Sequence, residues 1–101
     1  VESVTKQTIA PAASGAEIVL GQNQIFAISA IPVGTPGATT GANINLEFGP
    51  TGLGAASAAD MGLPVNQVFT FDTSEQFKSI RVFNNCTTTN VDVYVLKLSR
   101  S

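Results

Sequence analysis

In "NINLEF", Ile44, Leu46 and Phe48 alternate with Asn43, Asn45 and Glu47. That period of two marks a half-buried β-strand. The same reading places further strands in "VTKQTI" (Val4 to Ile9), "AEIVLG", "NQIFAISAI", "VNQVFTFD", "EQFKSIRVFN" and "NVDVYVLKL". Between them lie "APAASG", the Gly/Pro/Thr loop "PVGTPGATTGA" and the Thr-rich turn in "FNNCTTTN". About seven short strands punctuated by Gly, Pro, Asn and Ser turns predict an all-β chain. The expected form is an antiparallel β-sandwich, Ig-like or jelly-roll-like, with a small barrel as the variant. No long stretch has helical periodicity with caps, and no internal repeat recurs.

Two of these strands are apolar on both faces. In the last one, Val91, Val93 and Val95 oppose Tyr94, Leu96 and Leu98; in "IFAISAI", Ile25, Ala27 and Ile31 oppose Phe26, Ile28 and Ala30. A sandwich strand that faces water on one side is polar there. These two therefore need a second cover: a barrel corner, a loop folded over the sheet, or a subunit interface.

"FGPTGLGAASAADMGLP", Phe48 to Pro64, raises a chemical question. A glycine-rich turn after an apolar strand is how a phosphate-binding loop begins. Here no Lys reaches for the phosphates, no Ser or Thr takes the metal-ligand position, and Pro50 removes a backbone donor. The dinucleotide fingerprint, G-x-G-x-x-G inside a strand–helix–strand unit, is also missing. The segment reads instead as a long loop over 49–64, with one helical turn at "AASAADMG" and apolar anchors at Leu53, Met61 and Leu63. Loops of this length are usually functional or disordered, and the anchors favour an ordered one, ordered in part by a partner.

Composition narrows the function. The 101 residues form one domain, 1–101, with 1–11 as an extended arm. Charged residues make up 12% of the chain, about half the usual quarter. A free monomer normally carries more, so much of this surface is expected to be covered by neighbours. Five basic residues face seven acidic ones, without a basic stripe, which disfavours nucleic acid. No apolar run approaches the ~20 residues of a membrane span, and the first residues do not look like a secretion signal. There is no histidine, hence no Ser–His or Cys–His pair and no imidazole metal site. The carboxylates considered for acid–base work, Glu47, Asp60, Asp72, Glu75 and Asp92, read as solvated or turn-capping groups, and no calcium-loop spacing occurs. With no Trp and one Tyr, a sugar-stacking platform is thin. No catalytic, cofactor-binding or metal-binding residue is expected. Cys86 is alone, so no internal disulfide can form; it reads as an incidental thiol, with an intermolecular bridge or reactive thiol as the alternative. "NCT" also matches a glycosylation sequon, relevant only in a eukaryotic secretory pathway.

Several elements together resemble the small β-sandwich virion proteins of tailed bacteriophages. They are a strand ending in Phe48-Gly49, the Ala/Ser loop Ala55 to Ala59 leading to Leu63-Pro64, and the strand Ile80 to Phe83. A short turn joins that strand to the valine-rich Val91 to Val95. The resemblance implies a non-enzymatic head-decoration (cement) protein, often trimeric, made in the host cytoplasm and carried on the capsid surface. Its partners would be the major capsid protein or other virion proteins. On this expectation "VESVTKQTIAP" is a capsid-contacting arm whose removal leaves the domain folded. The partner-contact residues would be Val1, Val4, Ile9, Phe26, Ile28, Leu53, Met61, Leu63, Tyr94 and Leu96. The rival expectations are a tail or fibre receptor- or carbohydrate-binding module and a secreted adhesin-like β-domain.

Overall fold

The computed structural model describes residues 3–34 and 43–98. Its strands are β1 (Ser3–Ile9), β2 (Ile18–Val19), β3 (Ile25–Pro32), β4 (Ile44–Gly49), β5 (Met61–Leu63), β6 (Val68–Asp72), β7 (Ser79–Asn84) and β8 (Val91–Leu98). They form two antiparallel four-stranded sheets, ordered β1-β8-β3-β6 and β2-β7-β4-β5. The first strand pairs with the last, the second with the seventh, the third with the sixth and the fourth with the fifth. This is one long hairpin rolled up so that its arms divide between two sheets. Of the expected sandwiches, the chain is the jelly roll. The strand not anticipated is β5, which falls within the expected long loop; three residues with a central Gly62 give no alternation to read.

Register decides which side of each strand is buried. On β8, Val91, Val93 and Val95 lie opposite Pro32, Ala30 and Ile28 of β3. Together with Ile9 and Phe26 they make one wall of the core. Ile18, Ile44, Leu46, Ile80 and Val82 make the other. Burying each such side chain fully is worth roughly 1.5–3 kcal/mol, so this alternation supplies most of the drive to fold.

One end of the core is polar. Asn84, at the end of β7, is completely buried. Its Nδ2 donates to the carbonyls of Ile9 (3.0 Å), Ala10 (3.2 Å) and Thr89 (3.0 Å), while its Oδ1 accepts the Cys86 N–H at 2.9 Å. Its backbone N–H donates to Ala13 and its carbonyl accepts from Ala12. A single side chain thus ties the β1–β2 turn to the β7–β8 turn, which lie about seventy residues apart in sequence. A buried amide with its donors and its acceptor partnered stabilises and also fixes geometry.

This arrangement corrects the expectation of a detachable N-terminal arm. Residues 3–9 are an edge strand paired throughout with β8. Ile9 belongs to the core, and Asn84 holds the carbonyls of Ile9 and Ala10. Deleting everything before Pro11 would remove a core side chain and leave β8 with an open edge.

Replacing Asn84 by Ala strands several buried polar groups at once. Asn84→Ala should therefore lower unfolding stability by about 3 kcal/mol. The expected signature in urea denaturation is a lower midpoint at an unchanged slope.

Candidate functional site

A jelly roll has two outer faces, and this chain treats them differently. The outer face of the β2-β7-β4-β5 sheet is covered by the chain itself. After β4, residues 50–60 run across it without regular structure. Asn45 donates from Nδ2 to the carbonyl of Asp60 (2.9 Å), and the Ala56 N–H donates to Ser14 Oγ (3.0 Å). Arg81 donates from Nε to the Gly15 carbonyl (3.0 Å) and from Nη1 to that of Leu53 (3.3 Å). Ala56 is buried, and the Leu53 side chain lies over Gly49, where a Cβ would meet it at 2.9 Å. The expected helical turn at "AASAADMG" is instead a β-turn: the Asp60 N–H donates to the Ser57 carbonyl at 3.1 Å. Asp60 Oδ2 and Ser57 Oγ accept the N–H groups of Ser57 and Ala59, and such side-chain competition for backbone donors disfavours a helix.

Glu17 is the anchor of this cover. Its Oε2 accepts from the Gly52 N–H (2.8 Å), the Leu53 N–H (3.0 Å) and Ser79 Oγ (2.7 Å). Gly52 sits at φ +89°, a conformation that side chains resist. It turns two successive N–H groups toward one oxygen, the nest geometry of anion sites. The glycine-rich loop therefore does cradle an anion, and the anion is the chain's own carboxylate. The Leu53 N–H most strongly, then Ser79, Gly52 and the nearby Arg81 charge, hold the Glu17 carboxyl below its ordinary value near 4.5, against an opposing push from burial. Glu17 was not among the carboxylates singled out from sequence. Its only signal there is being the sole charge in "APAASGAEIVLG".

The outer face of the β1-β8-β3-β6 sheet has no such cover among the described residues. Cross-strand register arranges it in rows: Val4, Leu96, Ala27, Thr70; then Lys6, Tyr94, Ser29, Val68. Leu98, Ile25 and Asp72 flank them on one side, Thr8, Asp92 and Ile31 on the other. Val4, Ile31 and Val68 are 57%, 46% and 66% exposed, far from a core environment. The charges on this face are few and partly matched. Lys6 Nζ lies 3.8 Å from Asp92 Oδ2 and 5.9 Å from the centre of the Tyr94 ring, and Thr8 Oγ1 donates to Asp92 at 2.6 Å.

A second apolar feature opens where β5 and β6 form adjacent edges of the sandwich. Phe48, Met61, Phe71, Asp72 and Phe77 line a cleft of about 310 Å³. Phe48 meets Phe71 edge-on at 5.5 Å, and Phe71 stacks on Phe26 at 6.0 Å, linking the cleft to the core. Walls of this kind suit an aliphatic or aromatic side chain. A sugar needs several convergent polar groups as well.

The expected contact residues separate accordingly. Val4, Tyr94 and Leu96 come together on the uncovered face, Met61 lines the cleft, Leu53 belongs to the covering loop, and Leu63 packs against the core. Ile9, Phe26 and Ile28 are corrected: they are core residues, 3%, 5% and 1% exposed, and out of a partner's reach. Val1 lies outside the described residues. The carboxylates are scattered: Asp60 in its turn, Asp92 beside Lys6, Glu47 opposite Arg81, Asp72 at the cleft and Glu75 in the exposed turn before Phe77. Among the described residues no three Cys, Asp or Glu side chains gather as a metal ion would require. Cys86 is fully buried, and burial pushes its thiol up, against a weak contact at 3.9 Å to the Asn43 carbonyl. That environment makes a cysteine inert.

No protein-family model matches the chain, and no curated protein matches it. A solved chain from "Bacillus endospore appendages form a novel family of disulfide-linked pili" superimposes on 96% of this chain and 90% of its own. The TM-score is 0.41 and the identity 14%, too slight a likeness to bear on function.

Because the folded Glu17 carboxyl titrates below its unfolded counterpart, its contribution is present above pH ~4.5 and fades as pH falls through the folded value. The protection of the Gly52 and Leu53 amides from exchange, measured against their intrinsic rates, should therefore fall as pH drops through the folded value, beyond the change at core amides. In Glu17→Gln both amides should exchange faster already at neutral pH, and the acid-induced step should vanish.

Proposed function

We propose that the chain is a non-catalytic structural subunit of a large particle, a capsid decoration protein of a tailed bacteriophage that stabilises the head by bridging capsid subunits. The observation that carries this reading is the outer face of the β1-β8-β3-β6 sheet, rich in apolar side chains and covered by none of the described residues. Its exposed Val4, Ile31 and Val68, with Ile25, Leu96 and Leu98 beside them, form a contiguous patch of the kind that marks an interaction surface. The low charge content supports the same conclusion, since solubility of an isolated chain leans on charge. The particular assembly, a phage head, rests on the resemblance carried by Phe48-Gly49, Leu63-Pro64, Ile80 to Phe83 and Val91 to Val95.

In this role function is burial. Each contact removes apolar area from water at roughly 25 cal/mol per Å², and many equivalent sites on a shell convert modest contacts into avidity. The major capsid protein or another virion protein is the partner. The rigid sandwich, stapled at Asn84 and Glu17, keeps the binding face in shape before docking, which lowers the ordering cost of association.

The chain should co-purify with intact particles in fixed, high copy number, measured by quantitative mass spectrometry of gradient-purified virions. Particles stripped of it should lose heat or chaotrope resistance and regain it on adding back the purified chain. Absence from purified particles would overturn the proposal.

A further inference from the structure

The uncovered sheet face has a shape as well as a chemistry. Its two central strands, β3 and β8, differ in bulk. Along β8 the outward residues are Tyr94, Leu96 and Leu98; along β3 their register partners are Ser29, Ala27 and Ile25. Tyr94 and Leu96 therefore form a short ridge beside a groove floored by Ala27 and Ser29 and closed at its ends by Ile25 and Ile31, and Ala27 is only 5% exposed between its neighbours. A surface with a ridge and a groove side by side complements a copy of itself. Rotation by two-fold symmetry about an axis along the strands, between β3 and β8, lays the ridge of each copy over the groove of the other. Leu96 of one copy then stands over Ala27 of the other, and Tyr94 over Ser29. Each contact occurs twice, as an isologous interface requires.

Charge and area agree with this occupant. The same rotation sets Asp92 against Ile31 of the other copy, where Lys6 and Thr8 of its own copy keep the carboxylate partnered, so two such faces meet without a net repulsion from it. β3 and β8 are eight residues long. With β1 seven residues long and β6 five, four strands at ~4.8 Å spacing and ~3.3 Å rise per residue make a face of roughly 450 Å². Two such faces bury about 900 Å² in all, close to the lower bound for a specific interface. Twisted sheets generally stack face to face within about 30° of one another with ~10 Å between them, a packing that accepts Leu and Tyr side chains.

From this geometry we infer that the face is covered by a second copy of the chain, giving a two-fold dimer in which the β1-β8-β3-β6 sheets stack on each other. The inference rests on the reading of this face as an interface and puts a second copy, in place of a virion protein, upon it. It leaves the β5–β6 cleft and the loop over the opposite sheet free for contacts with the particle. The resemblance to phage decoration proteins suggests trimers; the ridge and groove are complementary in pairs.

The test is sedimentation equilibrium of the purified chain across the micromolar range, with particle co-sedimentation measured in parallel. Wild type should be dimeric at high micromolar concentration. Leu96→Lys places a charge in the groove and should weaken the dimer at least tenfold. Val68→Lys, at a well-exposed position where folding is not at stake, sets a lysine toward Lys6 of the other copy and should weaken it severalfold. Circular dichroism and thermal melts should show both variants folded. A wild-type monomer that still binds particles overturns the dimer and leaves the structural role standing. A monomer that binds no particle overturns both. A trimer, or a dimer indifferent to both substitutions, overturns the two-fold face.

Discussion

At the centre of one sheet, β3 and β8 lie side by side, and each carries apolar side chains on both of its faces. A two-layer sandwich has an interior on only one side of each sheet. Val91, Val93, Val95, Phe26, Ile28 and Ala30 fill that interior; Tyr94, Leu96, Leu98, Ile25, Ala27 and Ile31 are then forced outward together, because side-chain direction alternates strictly along a strand. The pairing of these two strands builds the core and creates the exposed face in the same step. Any account of what the protein does has to say what meets that face.

The contrast with the other sheet is instructive. Its outer residues include Phe83 and the exposed Val19, but Asn45, Glu47, Arg81 and Ser79 among them are polar, and the chain covers these with its own loop. The cover is held by hydrogen bonds from side chains to backbone, centred on the Glu17 carboxylate and the Arg81 guanidinium. Polar groups in a loop need satisfied partners, and a polar sheet face supplies them. The apolar positions of the other sheet, Val4, Leu96, Leu98, Ile25, Ala27, Ile31 and Val68, supply none, so they are suited to packing by another apolar surface. The chemistry of each face thus selects its covering: a loop of the same chain on one side, a separate surface on the other.

Buried polar groups then make the fold specific. Apolar burial alone would tolerate several ways of closing the β1–β2 and β7–β8 turns on one another. Asn84 tolerates one, since its amide must reach Ile9, Ala10, Thr89 and Cys86 together. Gly15 adds a steric condition at the same side of the sandwich. A Cβ there would collide with the Gln7 side-chain amide, whose Nε2 donates to the Ala16 carbonyl. These contacts hold β1 to the rest of the domain, which is why its residues act as part of the sandwich rather than as an independent arm.

Local pattern by itself determined the strands and their two-sidedness. The alternation in "NINLEF" placed Ile44, Leu46 and Phe48 on one side, and the double apolar pattern of the β3 and β8 segments already demanded a second cover. It could not say which apolar side was the interior. Periodicity separates two faces without labelling them, so Ile9, Phe26 and Ile28 read as contact residues on the same footing as Val4, Tyr94 and Leu96. Strand order decided between them, by giving one side of the sheet a partner layer. The same holds for Glu17, whose donors Gly52 and Leu53 lie about thirty-five residues away. No local signal links such positions; only the rolled hairpin, which sets β2 beside β7 and folds the loop after β4 across their sheet, brings carboxylate and backbone nest within hydrogen-bonding distance.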